Sequence, residues 1–460
     1  MVGKIAVEAV EEKRQRLDEL SKFIWNNPEA GFKEYKAQEK VVELLKEEGF
    51  QVETGVGGVP TAIKAVFGNG HPVIGFMGEF DALPGLSQRV SSTKETIEGQ
   101  PYGHGCGHNL LCTAHVGGAI GLKEEMIKRN LPGTIALFMC PGEELLTGKP
   151  LMARGGAFEG IDVAVNFHPN KINEATTGVS TAVNSMKFHF HGKTSHAANA
   201  PENGRSALDA VELTNVGANY LREHVPSDVR IHYTITNGGV VPNIVPDEAE
   251  VWYYVRAFSR EVVEDVYERL VRVANGAAMM TDTTVEVEFL GGCYNTQNNI
   301  VLANVVAEAM NEIPQEPWSE EELAFAAALD EKTADSAKAT TKKYGLSKDT
   351  HLYTGPGKVT SFNSYGSTDI GDVMHLLPTA YFFTACTNMG APAHSWQFTA
   401  CAGSSIGEKG MIYAAKVMAV YGAKLIENPE LIKQAKEVFD KQMEGRVYKC
   451  PIPDHVGVPQ

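Results

Sequence analysis

Between Gly103 and Asn109 the chain alternates glycines with His104, Cys106 and His108. Thiolate and imidazole are the side chains that bind zinc and its neighbouring divalent transition metals. Glycine lets the backbone turn tightly enough for close-spaced ligands to converge. An apolar, helix-compatible run follows over residues 110–126, which puts the cluster at a helix N-terminus. The positive end of that helix should lower the Cys106 pKa and favour its thiolate. Taken alone, a glycine-rich turn that happens to carry a cysteine fits this stretch almost as well. The metal reading therefore needs further ligands.

Candidates lie further along the chain. Glu143 and Glu144 follow an apolar run over 133–140. On extended backbone, adjacent side chains point to opposite sides. One carboxylate could then hold a metal while the other faced the water bound to it. Metal-assisted hydrolysis needs that division, because a metal acidifies water and a free carboxylate takes the proton. His168 ends a short apolar stretch over 162–167, and His394 sits in a stretch rich in glycine, alanine and proline. Asp81 directly follows the apolar run 71–80. Singly, a glutamate pair reads as a solvated loop and either histidine as structural. Together they are polar residues gathered where apolar strands end.

The elements that must position them form an interrupted α/β layout. Helical periodicity covers 4–26 and 35–48. The runs 71–80, 133–140 and 162–167 read as buried parallel strands. In open α/β sheets, functional groups collect beyond the carboxyl ends of such strands. Residues 184–291 change register to β-α-β-β-α-β, the split βαβ order of a ferredoxin-like unit. Its last helix, over 259–280, opens on a capping serine and early acids. Helical periodicity resumes at 300–310 and closes with a tail over 429–443. The expected organisation is a catalytic domain in two segments, 1–183 and 294–460, around an inserted domain at 184–293. Residues 314–358, with an acidic run and then Ala-rich and Thr/Lys-rich sequence, read either as a lid or as a solvated helical insertion.

Composition excludes several classes. The 460 residues are 43% hydrophobic and 21% charged, as expected of a soluble multidomain protein. No apolar run approaches the roughly 20 residues of a membrane span. The first residues alternate charges instead of forming a signal peptide, which predicts a cytoplasmic protein. Seven cysteines argue against a disulfide framework. Cys112, Cys140, Cys386 and Cys401 should be buried free thiols. A net charge of -16 makes nucleic acid or an anionic membrane an unfavourable partner.

The ordered motifs resemble a known family. They are Glu79-Phe-Asp81-Ala-Leu-Pro, the His104-to-Asn109 cluster, Pro-Gly-Glu143-Glu144, Asn-Phe-His168-Pro, Lys193-Thr-Ser-His196, Asn243-Ile-Val-Pro, Gly366-Ser-Thr-Asp369 and Ala-His394-Ser. Their order and spacing are similar to the dinuclear metallopeptidase and amidohydrolase family of aminoacylases, carboxypeptidases and auxin-conjugate hydrolases. Within it, the chain looks most like the aminobenzoyl-glutamate utilization protein B group. The resemblance implies a zinc-peptidase-like α/β catalytic domain with an inserted ferredoxin-like lid or dimerisation domain.

It also implies roles. Cys106, His108, Glu144, His168 and His394 would hold two divalent ions, zinc or manganese, with cobalt possible. Glu143 would be the general base, and Asp81 would orient a ligand imidazole. His196, from the insert, would stabilise the oxyanion, in this family often across a dimer. Asn243 and Arg256 would hold the substrate, with Arg256 suited to a carboxylate. Glu79 stands outside the expected ligand set. Asn109 and Leu111 depart from the family pattern, which has Asp and His there in many members. The implied activity is hydrolysis of the amide bond of an N-acyl amino acid, such as an aminobenzoyl-glutamate-like conjugate. The implied assembly is a homodimer or a pair with a related subunit. A dipeptidase, carboxypeptidase or deacetylase on the same metals, or a non-catalytic partner subunit, are the other readings.

Overall fold

The computed structural model describes residues 2–459. Its main strands are, in chain order, β1 (Gln51–Thr54), β2 (Ile63–Asn69), β3 (Val73–Gly78), β4 (Gly133–Met139), β5 (Val163–Asn170), β6 (Glu174–Thr176), β7 (Ala182–His191), β8 (Arg230–Asn237), β9 (Glu248–Ala257), β10 (Thr284–Cys293), β11 (Lys358–Thr360) and β12 (Thr379–Ala385). Eight of them form one sheet in the order β1-β2-β4-β3-β5-β12-β6-β11. The centre, β4-β3-β5-β12, is parallel. The flanking pairs β1/β2, β2/β4 and β12/β6 are antiparallel.

The central strands are apolar throughout because both of their faces are covered. Ile74, Phe76, Ile135, Leu137, Val163 and Val165 point into the larger core. The alternating Met77, Ala136, Phe138 and Ala164 point into a second core on the other face. The larger core is closed by the helices His108–Arg129 and Ser405–Glu427. The first of these is buried along most of its length. It can sit so deep because its glycines allow close approach: a Cβ on Gly121 would stand 2.9 Å from the Ala6 carbonyl oxygen.

The second sheet is antiparallel in the order β8-β9-β7-β10. Helices Ala207–Leu221 and Arg260–Thr281 cover one face, burying Phe188, Tyr253, Val211 and Leu270. The element order is the expected βαββαβ. The Ser259 hydroxyl caps the second helix by accepting from the Val262 amide at 3.5 Å.

Two local expectations change. The helix expected over 4–26 is two helices, Lys4–Glu12 and Arg14–Asn26, broken at Lys13, whose backbone (φ -93°, ψ 0°) leaves the helical region. Residues 314–358 contain the helices Glu320–Lys332 and Ala334–Tyr344, the first opened by a Ser319/Glu322 capping box. Ala326 and Leu329 bury one side of that first helix, so the segment is packed on the body and is not a solvated appendage. All seven cysteines are free, and Cys112, Cys140, Cys386 and Cys401 are buried. No helix among the described residues is long and apolar enough to cross a membrane.

Candidate metal centre

The centre lies beyond the carboxyl ends of β3, β4 and β5. Just past β3, the Asp81 carboxylate accepts from His108 Nδ1 at 3.0 Å, and the Asp81 carbonyl lies 3.0 Å from the same nitrogen. That fixes the ring and leaves His108 Nε2 free. Nε2 faces Glu79 Oε2 at 3.6 Å, Glu143 Oε2 at 3.9 Å and Glu144 Oε1 at 3.9 Å. The other Asp81 oxygen accepts from the Glu144 amide at 2.9 Å, tying the loops after β3 and β4 together.

His168, at the end of β5, donates Nδ1 to the Pro169 carbonyl at 2.9 Å. Its Nε2 then faces Cys106 Sγ at 3.3 Å. His394 Nε2 lies 3.5 Å from Glu144 Oε2. His394 has φ +54°, a strained value for a non-glycine residue and one that clusters at functional sites. Three donor sets result: Cys106 with His108 and His168, Cys106 with Glu144 and His394, and Glu79 with His108 and Glu143. Within each, the ligand atoms lie within 4.8 Å of one another.

Two arguments made from sequence fail here. The glutamate pair is not on extended backbone. It occupies a 3-10 turn, Glu143–Leu145, between Gly142 (φ 67°) and Leu146 (φ 57°). The turn brings both carboxylates to the same imidazole nitrogen instead of splaying them. Nor is the Cys106 thiol lowered by the following helix. Burial pushes it up, and the Glu144 carboxylate adds to the rise. The helix begins at His108, two residues beyond Cys106, so its end effect is outweighed by desolvation.

The other groups are set by the same competition. Burial pushes the Glu143 carboxyl well up, with Glu79 and Glu144 adding like charge. Burial raises Glu144 to about 7 and lowers His168 to about 4. Burial would also raise Asp81, but the hydrogen bond and charge of His108, the Glu144 amide and the Lys149 charge together outweigh it, and the carboxyl is lowered.

These residues fit a divalent cation. Glu79 Oε2, His108 Nε2 and Glu144 Oε1 are buried and have no hydrogen-bond partner. Buried polar atoms without partners are costly, and a positive ion among them removes that cost. One thiol, three imidazoles and several carboxylates suit zinc, manganese or cobalt. Cys106 belongs to two donor sets.

Sequence reasoning missed two residues. Glu79, left outside the ligand set, is fully buried and presents a free oxygen to the centre. Its other oxygen pairs with Lys149, which also meets Asp369 Oδ1 at 2.6 Å. The Lys149 amide donates to Asp369 Oδ2 at 2.9 Å. A lysine just after the glutamate pair was the available signal. Its meaning depended on Asp369, far along the chain in the Gly366-Ser-Thr-Asp369 motif.

A cavity of about 790 Å³ opens on the centre, lined by Cys106, Glu143, Glu144, His168 and His394. Arg256, from β9, also lines it. Its guanidinium donates to Ser367 Oγ at 2.7 Å and to His232 Nε2 at 3.3 Å, both neutral partners. Thr340, Lys343 and Tyr344 of the Ala334–Tyr344 helix complete another wall. His196 and Asn243 are not brought into this cavity. Both are exposed and paired through their own loops, where the Ala197 amide donates to the Asn243 carbonyl at 3.0 Å. His196 Nδ1 accepts from the Ala198 and Asn199 amides at 3.2 and 3.1 Å.

Residues 182–281 match the peptidase dimerisation domain family. The chain is 37% identical to a p-aminobenzoyl-glutamate hydrolase subunit of Escherichia coli (strain K12), over 98% of this chain and 97% of that protein. It is 28% identical to Xaa-Arg dipeptidase of Mus musculus, over 95% of this chain and 92% of the relative. A dinuclear metal-binding peptidase of the M20 family from Bacillus subtilis shares the fold, with a TM-score of 0.60 at 19% identity over 91% of this chain and 99% of that one.

Proposed function

The chain belongs to the M20 family of peptidases and related amidohydrolases, and from that premise we propose that it hydrolyses the amide bond of an N-acyl amino acid of the aminobenzoyl-glutamate type. The carrying observation is the set of buried, unpartnered donor atoms of Glu79, His108 and Glu144, the last of which lines a cavity that also holds Arg256. Cys106, His108, Glu144, His168 and His394 would hold two divalent ions, zinc or manganese, with Glu79 close by. When bound, such ions supply Lewis acidity toward an amide carbonyl and toward water.

The chain's own groups do the rest. Glu143 reaches the centre from the cavity wall, takes the proton of the attacking water and returns it to the leaving nitrogen. Asp81 holds His108 in one tautomer and orientation. Arg256, whose hydrogen-bond partners are neutral, takes the carboxylate of the amino-acid half. His196 and Asn243 would serve a neighbouring subunit's cavity. Their exposure in this chain and the dimerisation-domain match at 182–281 support a homodimer, and pairing with a related subunit is the other assembly. Residues 184–293 are the inserted unit in this reading. The seven free thiols support a reducing, cytoplasmic setting.

The test is Glu143→Gln. It should retain the metal content of the native protein, measured by elemental analysis, and lose turnover of N-acyl amino acids and dipeptides. Retained turnover overturns the assignment of the base.

A further inference from the structure

The proposed reaction gives no role to the first helix of segment 314–358, Glu320–Lys332. That helix carries a buried carboxylate, Asp330. Asp330 Oδ1 accepts from Asn388 Nδ2 and from the Gly390 amide, both at 2.6 Å. Its Oδ2 accepts from His351 Nδ1 at 2.7 Å. The His351 carbonyl in turn accepts from the Met389 amide at 3.1 Å. Apart from the His351 ring, every donor here lies in residues 388–390, on the loop that leads from β12 to His394. Gly390 lies tight against the helix: a Cβ there would stand 2.8 Å from Asp330 Oδ1 and closer still to Thr333 Oγ1.

His394 needs such support. Its φ of +54° is unfavourable for a residue with a Cβ, and such conformations persist only where the surroundings over-determine them. Its side chain is 52% exposed, so packing around the ring does not fix it. The chain is held on both sides instead. After His394, Ser395 caps the helix Trp396–Ala402, and its Oγ donates to the Pro392 carbonyl at 2.7 Å. Before His394, Asp330 holds Gly390, and only Ala391, Pro392 and Ala393 intervene. Pro392 has its φ locked by its ring, which makes this short link stiff.

We propose that Asp330 is a positioning residue for the metal centre, setting His394 as a ligand through the 388–390 loop. This rests on the reading of His394 as a ligand, in the set it forms with Cys106 and Glu144. Segment 314–358 is then a buttress of that set and not a lid. The set of Cys106, His108 and His168 draws its imidazoles from other elements and does not depend on Asp330.

Zinc titration of the apoprotein against a chromophoric chelator reads the two ions without turnover, with His394→Ala as the reference for a lost ligand. Asp330→Ala should weaken the same one of the two ions by about 10–100-fold, the scale on which residues supporting a ligand act, and leave the other unchanged. Asp330→Asn should stay close to native, because its Oδ1 still accepts from Asn388 and Gly390. That variant also lacks the charge that acts on Lys171, so it separates geometry from charge. A loss in Asp330→Asn as large as in Asp330→Ala overturns the proposal. Gly390→Ala, which displaces the loop and keeps Asp330, should reproduce Asp330→Ala. Both ions weakened together, with a lower melting temperature of the apoprotein, would mark a merely structural role and overturn it too. Native affinity in Asp330→Ala beside weakened affinity in His394→Ala defeats the positioning role alone. Native affinity in His394→Ala defeats the ligand reading on which that role rests.

Discussion

The centre at the strand ends and the exposed loops of the inserted sheet are built on opposite principles. At the centre, Glu79, Asp81, His108, Lys149 and Asp369 are all fully buried, and each is held by a named partner. Around His196 and Asn243 the side chains are exposed, and the loop is held by its own backbone bonds. The first region is preorganised by the parallel sheet and by charge pairing in a low-dielectric interior. The second is preorganised only locally and presents His196 away from its own cavity. In the proposed reading, one half of the chemistry would be held within one chain and the other half would be supplied by assembly.

This contrast can be broken experimentally. The largest effect should come from the centre: Glu143→Gln should lower kcat by about 10²–10⁴-fold, the usual range for a general base, with metal retained. Next, Lys149→Met should strand Glu79 and Asp369 as buried, uncompensated carboxylates. Breaking a buried ion pair costs about 3–5 kcal/mol, so the urea midpoint should drop sharply, and Lys149→Arg should recover part of it. An unchanged midpoint would mean that charge pairing does not hold the centre.

The loops are tested by mixing. His196→Ala should lower kcat by about 10²–10³-fold, the scale of one lost oxyanion donor. If His196 serves its neighbour, co-refolding His196→Ala with Glu143→Gln should restore turnover, because one site of each mixed dimer is then intact. If both defects act within one chain, the mixture stays inactive. The smallest effect is expected at Arg256, between the two regions. Arg256→Ala should raise KM for a free carboxylate substrate by an amount worth about 1.5–3 kcal/mol. The corresponding substrate amide should lose much less, and equal losses for both would remove Arg256 from carboxylate binding.

Much of the first region was legible because strand ends are written locally. An apolar run that stops at a polar cluster marks Asp81, Glu143 and His168 without knowledge of the partners. The βαββαβ order was legible for the same reason, through alternation in β7 and β10 and the Val, Trp and Tyr content of β9. The break at Lys13 was not, since both flanking helices share one apolar period. The fate of Glu79 was not legible either, because a glutamate beside an apolar strand has no local sign of the lysine that neutralises it.

The sequence by itself determined the donor types, their order and the elements that carry them, because side-chain chemistry and hydrophobic periodicity are local properties of the chain. Only the tertiary structure decided how the glutamate pair turns, that burial raises the Cys106 thiol, that Lys149 bridges Glu79 and Asp369, and that His196 stays outside the cavity. Those outcomes depend on desolvation and on pairs far apart in sequence, such as Lys149 with Asp369. Both are fixed by which groups the fold brings together and removes from water.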